Sequence, residues 1–325
     1  MKLTRRAALC APLAAPAILI APNAQAAWPE RSINMVVPFG PASANDVLAR
    51  LTAPHLSRAW GQTVVVNNVV GAAGTIGVDR VAKSTPDGLT LALSADAAIV
   101  VRVSMNPRPP YDPLTDLAPI SQLGRTPNIL VVSNATPYTS LAQVVAAAKA
   151  RPGALSFAHI GAGTSQHIGG ELLNQLAGIE LNGVAYNDGG AQLQDVIAGR
   201  ATMTFANVLT VASRLTDGSF RALGVSSPER IPSLPHIPTI AEQGFPGFNA
   251  VAWLGLFARA GTPADVVARI QRDMAAAMAQ PDVAGRLADL GLQVVGSTPE
   301  QFATLIRAEI PRMAGVLERA GLRAQ

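Results

Sequence analysis

Two segments rich in small residues carry chemical groups that suit the capture of an anion. Residues 38–46 read Pro-Phe-Gly-Pro-Ala-Ser-Ala-Asn-Asp, and residues 161–167 read Gly-Ala-Gly-Thr-Ser-Gln-His. Each follows an apolar, strand-like run and precedes a helical pattern. Small side chains let the backbone approach a ligand, and the unpaired N–H groups of a helix start favour negative charge. An ordinary strand-to-helix turn shares these features, so the spacing alone leaves both interpretations open.

His167 falls in the first turn of the helix predicted after the second segment. The other histidines, His55, His159 and His236, stand apart without metal-ligand spacing, so no metal site is expected. Gln166 occupies the place of the third glycine of a dinucleotide-binding fingerprint, and no Gly-x-Ser-x-Gly nucleophile motif occurs. A lone histidine at a helix start is more often a hydrogen-bonding structural group than a catalyst. We therefore predict no catalytic residue and no cofactor.

The elements that must position these residues alternate between strand and helix patterns. Residues 33–94 follow the order strand, helix, strand, helix, strand, which predicts a parallel sheet with helices on its faces. A second alternating series covers residues 128–226, and helical patterns complete residues 263–320. Residues 104–120 and 227–249 are rich in proline and lack periodicity, so we predict irregular structure there.

The first series is too short to complete its own layers unless the C-terminal helices return to it. We therefore predict an α/β fold with two lobes, in which residues 27–124 and 252–325 form lobe 1 and residues 125–251 form lobe 2. Loops at the carboxyl ends of the strands would then converge between the lobes, where ligands bind in such folds. Asn45 is the predicted N-cap of the first helix.

Residues 1–26 have the pattern of a removable export signal. Basic residues precede a short apolar stretch, and residues 24–26, Ala-Gln-Ala, form a small-residue cleavage site. Arg5 and Arg6 also fit a twin-arginine signal loosely, so the general secretory and twin-arginine routes both stay open. Cys10 lies too early in the segment for a good lipid-attachment site. We expect a soluble protein exported to the periplasm.

The composition disfavours nucleic-acid partners and thiol chemistry. The 325-residue chain has a formal net charge of +4, and removing the three positive charges of the signal, which holds no acid, leaves +1. Aromatic residues make up only 4%, so neither a basic patch nor a stacking platform is expected. Cys10 is the only cysteine, so the chain without its signal has no thiol for catalysis or zinc binding.

Several short motifs occur in the order and spacing of a known family. The matching segments are Trp28–Ile33, Val36–Phe39, Val65–Asn68, Gly71–Gly77, Pro86–Leu91, Tyr111–Leu114, Asp116–Ile120, Gly163–Ser165 with His167, Arg221–Leu223, Pro235–Thr239 and Trp253–Leu256. Each motif is weak alone, whereas their joint order is specific and covers nearly the whole chain after the signal. The chain resembles the extracytoplasmic solute receptors of tripartite tricarboxylate transport systems, also called the Bug family.

This resemblance implies a type II periplasmic-binding-protein fold whose two lobes close on a small carboxylated solute. It also implies that backbone amides and bridging waters around the two small-residue loops hold the ligand carboxylate, since water-mediated bonds cost little affinity. We expect a non-enzymatic monomer that works with membrane transporter subunits. The candidate ligand-binding residues are Phe39, Gly40, Ala42, Ser43, Asp46, Gly161, Gly163, Thr164, Ser165, His167, Tyr186, Asn187, Asp188 and Ala206.

The chain departs from the family pattern at three places that bear on ligand choice. Residues 42–44 replace consecutive glycines, residues 187–188 replace a lysine and a glycine, and Ala206 replaces an acid. We therefore expect a monocarboxylate or an amino acid rather than a tricarboxylate. A stand-alone chemosensory receptor stays open, because it needs the same closing clamp. An exported α/β hydrolase is disfavoured, because the nucleophile motif is absent.

Overall fold

The computed structural model describes residues 28–319 apart from residues 42, 106, 187, 188 and 290, and it describes the backbone alone at residue 209. The strands, in chain order, are β1 (Ile33–Val37), β2 (Val64–Asn68), β3 (Thr90–Ala95), β4 (Leu117–Thr126), β5 (Asn128–Ser133), β6 (Leu155–His159), β7 (Leu181–Ala185), β8 (Met203–Asn207), β9 (Phe220–Val225), β10 (Ala252–Arg259) and β11 (Gln293–Val294). They form two separate sheets.

Nine α-helices cover these sheets over the part of the chain that the structure describes. They are α1 (Ala44–Trp60), α2 (Thr75–Ala82), α3 (Leu141–Ala150), α4 (Ser165–Ala177), α5 (Gly189–Ile197), α6 (Val208–Thr216), α7 (Ala264–Met278), α8 (Pro281–Asp289) and α9 (Pro299–Arg319). None of the described helices is long and apolar enough to cross a membrane.

The first sheet has six strands in the order β11-β4-β10-β3-β1-β2, and the second has five in the order β7-β6-β8-β5-β9. β1 pairs in parallel with β2 and β3, and β6 pairs in parallel with β7 and β8. The loops after β1, β2 and β3 therefore share one edge of the first sheet. The loops after β6, β7 and β8 likewise share one edge of the second.

Alternate residues of the strands enter different cores. In β3, Leu91 and Leu93 are fully buried with Leu48 of α1 and Ile270 of α7, whereas Ala92 belongs to the opposite core. This opposite core also contains residues of the second sheet, so apolar packing is continuous between the two lobes. Burial on both faces explains why the strand sequences read as apolar runs rather than as alternating patterns.

The chain passes between the sheets at two neighbouring crossings. β4 is followed directly by β5, with Pro127 between them, and residues 226–251 return from β9 to β10. Asn128 N donates to Ser226 Oγ at 2.8 Å, Ser226 N donates to Asn128 O at 2.9 Å, and Ala250 N donates to Ser226 O at 3.0 Å. These bonds tie the two crossings together where a hinge between the lobes would lie.

The structure corrects the sequence-based predictions in the first lobe. Residues 117–120, predicted to be irregular, belong to the ten-residue strand β4, which pairs with β10 along its whole length despite Pro119. The N-cap of α1 is Ser43 rather than Asn45, because the Ser43 hydroxyl accepts the Asp46 N–H at 3.3 Å. A π-helical turn over Ala97–Val101 follows β3, and every residue in it is buried.

Candidate functional site

The loop after β1 turns the chain into the first turn of α1. Ser43 N donates to Gly40 O at 3.2 Å, which closes the turn, and Ser43 then caps the helix. Phe39, Gly40 and Ser43 are all half-buried. Because the first N–H groups of a helix have no intrahelical partner, this loop presents donors at the edge of the sheet. Ala42, another predicted ligand-binding residue, lies outside the described residues.

Asp46 supports this loop through a hydrogen-bond network. Its carboxylate accepts Arg50 Nε at 3.0 Å and Asn68 Nδ2 at 2.9 Å. The Asn68 amide also donates to Phe39 O at 2.9 Å, so the carboxylate, the amide and the loop carbonyl form one network. The Asp46 side chain is only 5% exposed, whereas that of Arg50 is 53% exposed. Asp46 therefore supports the loop, and Arg50, the nearest cation in sequence, is already engaged.

The loop after β6 has a similar construction. Thr164 caps α4 by accepting the His167 N–H at 3.4 Å, and its hydroxyl donates to Gly161 O at 2.9 Å. Ser165 Oγ accepts Asn128 Nδ2 at 2.9 Å, which links the start of α4 to the first crossing. Gly161, Thr164 and Ser165 are half-buried. The loop thus combines a short turn, a capped helix start and partly accessible N–H groups.

Two histidines lie beneath this second loop. The rings of His159 and His167 stack with centroids 4.4 Å apart, and both side chains are buried. Burial lowers the pKa of His159, and burial together with the neighbouring His159 lowers the pKa of His167 to about 4. Both rings are therefore neutral at physiological pH. From the sequence His159 stands apart, because its stacking on His167 depends on how the glycine turn between them folds.

The π-helical turn over Ala97–Val101 lies near both loops. A Cβ atom added to Gly74, at the start of α2, would lie 3.1 Å from Ala98 Cβ and 3.2 Å from Phe39 Cζ. A Cβ atom added to Gly163 would lie 2.6 Å from Val101 Cγ1. The first loop and the second loop therefore converge on one buried turn, each from its own lobe.

The remaining candidates occupy different environments. Tyr186, half-buried after β7, donates its hydroxyl to Asp195 at 2.9 Å. Ala206 is 1% exposed and belongs to the core of the second sheet, so the strand end is formed by its neighbour Asn207. Asn187 and Asp188 lie outside the described residues. Among the residues that the structure describes, no cluster of three or more histidines, cysteines or carboxylates could hold a metal ion.

The glycines at the start of α2 serve helix packing. A Cβ atom on Gly77 would lie 2.7 Å from Pro38 Cβ and 2.8 Å from Val69 O, so only glycine lets α2 lie this close to the first loop. Ala72 and Ala73, just before the helix, adopt left-handed φ values of 47° and 53°. These contacts give the glycine series a packing role.

Comparisons with known proteins agree with this architecture. The sequence model described as "Tripartite tricarboxylate transporter family receptor" matches residues 48–322. A protein encoded in the tcbD-tcbE intergenic region of Pseudomonas sp. strain P51 is 40% identical over 88% of this chain and 85% of its own length. Protein BugT of Bordetella pertussis is 36% identical over 99% of each chain.

Solved structures show the same fold. R. palustris Rpa4515, solved with adipate, is 33% identical, with a TM-score of 0.83 over 91% of this chain and 99% of its own. MatC from Rhodopseudomonas palustris, solved with bound malate, is 32% identical, with a TM-score of 0.79 over 89% of this chain and 100% of its own.

Two α/β lobes with converging strand-end loops define the class of periplasmic solute-binding proteins, which confirms the predicted fold. Within that class, the chain belongs to the receptor family of the tripartite tricarboxylate transporters, as its motifs indicated. The family consists of receptors rather than enzymes.

Proposed function

We propose that this chain is a periplasmic receptor that captures a small carboxylate between its lobes and delivers it to a tripartite tricarboxylate-type transporter. Family membership supports the receptor role. The relatives solved with adipate and with malate support a carboxylate as the ligand. No covalent chemistry is required, so we propose a binding protein without catalytic activity.

The observation that best supports this proposal is the convergence of two capped loops on the turn over Ala97–Val101. Phe39 approaches this turn from lobe 1 through Gly74, and Gly163 approaches it from lobe 2. Both loops end in helix N-termini, whose N–H groups favour a carboxylate. We propose that the lobes comprise residues 27–124 with 252–325 and residues 125–251, and that they close at the two tied crossings.

The ligand should carry few negative charges. Arg50, beside the first loop, already balances Asp46, so backbone N–H groups would supply most of the attraction. Such partial charges suit one or two carboxylates better than three. We propose a monocarboxylate, an amino acid or a dicarboxylate, with tricarboxylates bound more weakly.

A thermal-shift and calorimetric series tests this function directly. The probes are hexanoate, adipate, neutral adipamide and citrate, which vary charge around a similar length. A ligand present at 100 times its Kd stabilises the folded state by about 2.7 kcal/mol. We expect hexanoate or adipate to raise Tm, citrate to raise it less, and adipamide to have no effect. An equal response to adipate and adipamide, or no response to any carboxylate, would contradict the proposal.

The proposed location has a separate test. Residues 1–26 read as a removable signal, so the chain recovered from the periplasm should begin at about Ala27. N-terminal sequencing of that fraction is the measurement. A retained Met1 or a lipid on Cys10 would contradict export with cleavage after Ala26.

A further inference from the structure

His159 and His167 each accept a hydrogen bond from the second loop. Gly161 N donates to His159 Nδ1 at 3.2 Å, and Gly163 N donates to His167 Nδ1 at 3.0 Å. A backbone N–H can only donate, so both Nδ1 atoms must be unprotonated acceptors. Each neutral ring therefore carries its proton on Nε2. The two glycine amides on either side of residue 162 are thus fixed by two imidazoles.

The surroundings hold both rings in place. Phe157 lies 5.7 Å from the His159 ring and 6.1 Å from the His167 ring, measured between centroids, and extends the stack. The side chains of both histidines are more than nine-tenths buried. Turning either ring away from its amide would disturb this aromatic stack.

We propose that His159 and His167 are positioning residues of the carboxylate-binding loop, and that protonation of either ring releases the loop and weakens ligand binding. This inference rests on the proposed function, because it assigns the loop after β6 to the ligand. Protonation places a proton on Nδ1, which then opposes the Gly161 or Gly163 N–H as a second donor. The loop must then move away from the protonated ring, and Gly163 loses its packing contact with Val101.

Burial of the rings chiefly sets the pH at which this happens. His167 Nε2 lies 3.7 Å from Glu171 Oε1, beyond hydrogen-bond distance, and burial raises the pKa of Glu171. Arg102, directly after the turn that packs against Gly163, donates to Pro107 O at 2.9 Å. Burial and the adjacent His159 lower the pKa of His167 to about 4. The loop is therefore intact at neutral pH and opens as the pH falls towards that value.

Variants at fixed pH separate a positioning role from simple filling of space. His167→Asn keeps an acceptor near the Nδ1 position but cannot titrate, whereas His167→Leu keeps apolar volume and removes the acceptor. At pH 7.5 we expect His167→Asn to bind adipate within about threefold of wild type, and His167→Leu to bind about tenfold or more weakly, since a buried N–H loses its partner. The exposed His236→Asn is the matched control and should bind as wild type does.

A ligand-free measurement tests the pH dependence. Nitrogen-15 NMR from pH 7.5 to 4 should show the Gly163 amide shifting together with the His167 ring in wild type and in His236→Asn. The shift should be absent in His167→Asn. The pair His159→Asn and His159→Leu repeats the comparison at Gly161 if the first leucine variant does not fold.

Two results would show that the histidines do not position the loop. Equal affinity of the asparagine and leucine variants, or a Gly163 amide that stays unchanged while His167 titrates, would overturn the inference. Failure of wild type to bind adipate would count against the proposed ligand alone, because the NMR titration still decides whether the histidines hold the loop.

Discussion

Gly163 lies so close to Val101 that a Cβ atom on the glycine would come within 2.6 Å of Val101 Cγ1. Gly163 also has a φ of +80°, in the left-handed region that favours glycine. The contact joins the loop after β6 in one lobe to the buried turn after β3 in the other. The absence of a side chain at residue 163 therefore decides how closely the lobes meet beside the proposed site.

Replacing this glycine should be costly. In Gly163→Ala, the left-handed backbone costs about 1–2 kcal/mol and the overpacking against Val101 costs about 1–3 kcal/mol more. We expect the two costs to add, and urea titration should show their sum as a loss of unfolding free energy. Adipate should also bind more weakly.

Gly178→Ala is the control for backbone strain, because Gly178 has a φ of +60° and open space where a Cβ would lie. It should show only the cost of the left-handed backbone. Adding Val101→Ala to Gly163→Ala should recover part of the overpacking cost. If Gly163→Ala costs no more than Gly178→Ala, the interlobe contact is not tight.

The Asp46 network predicts a second effect. Asp46→Asn removes the charge that binds Arg50 and Asn68, and can place amide protons beside the donors Arg50 Nε and Asn68 Nδ2. We expect a loss of about 1–3 kcal/mol of unfolding free energy and weaker adipate binding, because the Phe39 carbonyl loses its fixed partner.

Asp289→Asn is a matched charge removal in an exposed pair. Arg286 and Asp289 are 57% and 67% exposed, with their closest charged atoms 3.8 Å apart. Its removal should cost less than about 0.5 kcal/mol. Equal losses at both sites would show that Asp46 contributes no more than a surface charge.

Asp96 makes stability depend on pH. This carboxyl group is buried at the end of β3, where it accepts the backbone N–H groups of Ala97 and Trp253. Burial raises its pKa to about 7. The nearby Glu309 also raises this pKa, whereas Arg312 lowers it. The protonated form therefore contributes stability that is complete below the unfolded-state pKa of 3.8 and is lost as the pH rises through about 7.

Asp96→Asn mimics the protonated carboxyl group at every pH. About three pKa units correspond to roughly 4 kcal/mol, so the variant should exceed wild type in stability by up to that amount at pH 8 and match it near pH 4. Urea unfolding across this range measures the difference, with Asp289→Asn as the exposed control. A difference that does not grow with pH would exclude a raised Asp96 pKa.

Tyr186 offers a test of one predicted ligand-binding residue. Its hydroxyl donates to Asp195, and Arg200 donates to the same carboxylate. Tyr186→Phe should therefore lower unfolding free energy by about 1 kcal/mol and change adipate affinity less than threefold. A tenfold loss in calorimetry would instead place the hydroxyl on the ligand.

Local patterns predicted much of the secondary structure. The helix α4, Ser165–Ala177, and the strand β6, Leu155–His159, lie within the alternating series predicted over residues 128–226, because capping residues and apolar periodicity mark such elements. The strand structure of residues 117–120 was not predicted, since pairing with the distant β10 stabilises β4 and its own composition does not indicate a strand. The π-helical turn was missed because a short apolar run carries no periodic signal.

The sequence by itself determined the alternation of strands and helices, the two small-residue loops and the family, because these depend on neighbouring residues and ordered motifs. Only the tertiary structure decided that His159 stacks on His167, that Asn68 holds the Phe39 carbonyl, and that Gly163 rests on Val101. These pairs depend on the register of paired strands and on the packing of two lobes against each other. Such contacts join residues whose separation along the chain contains no signal of their proximity.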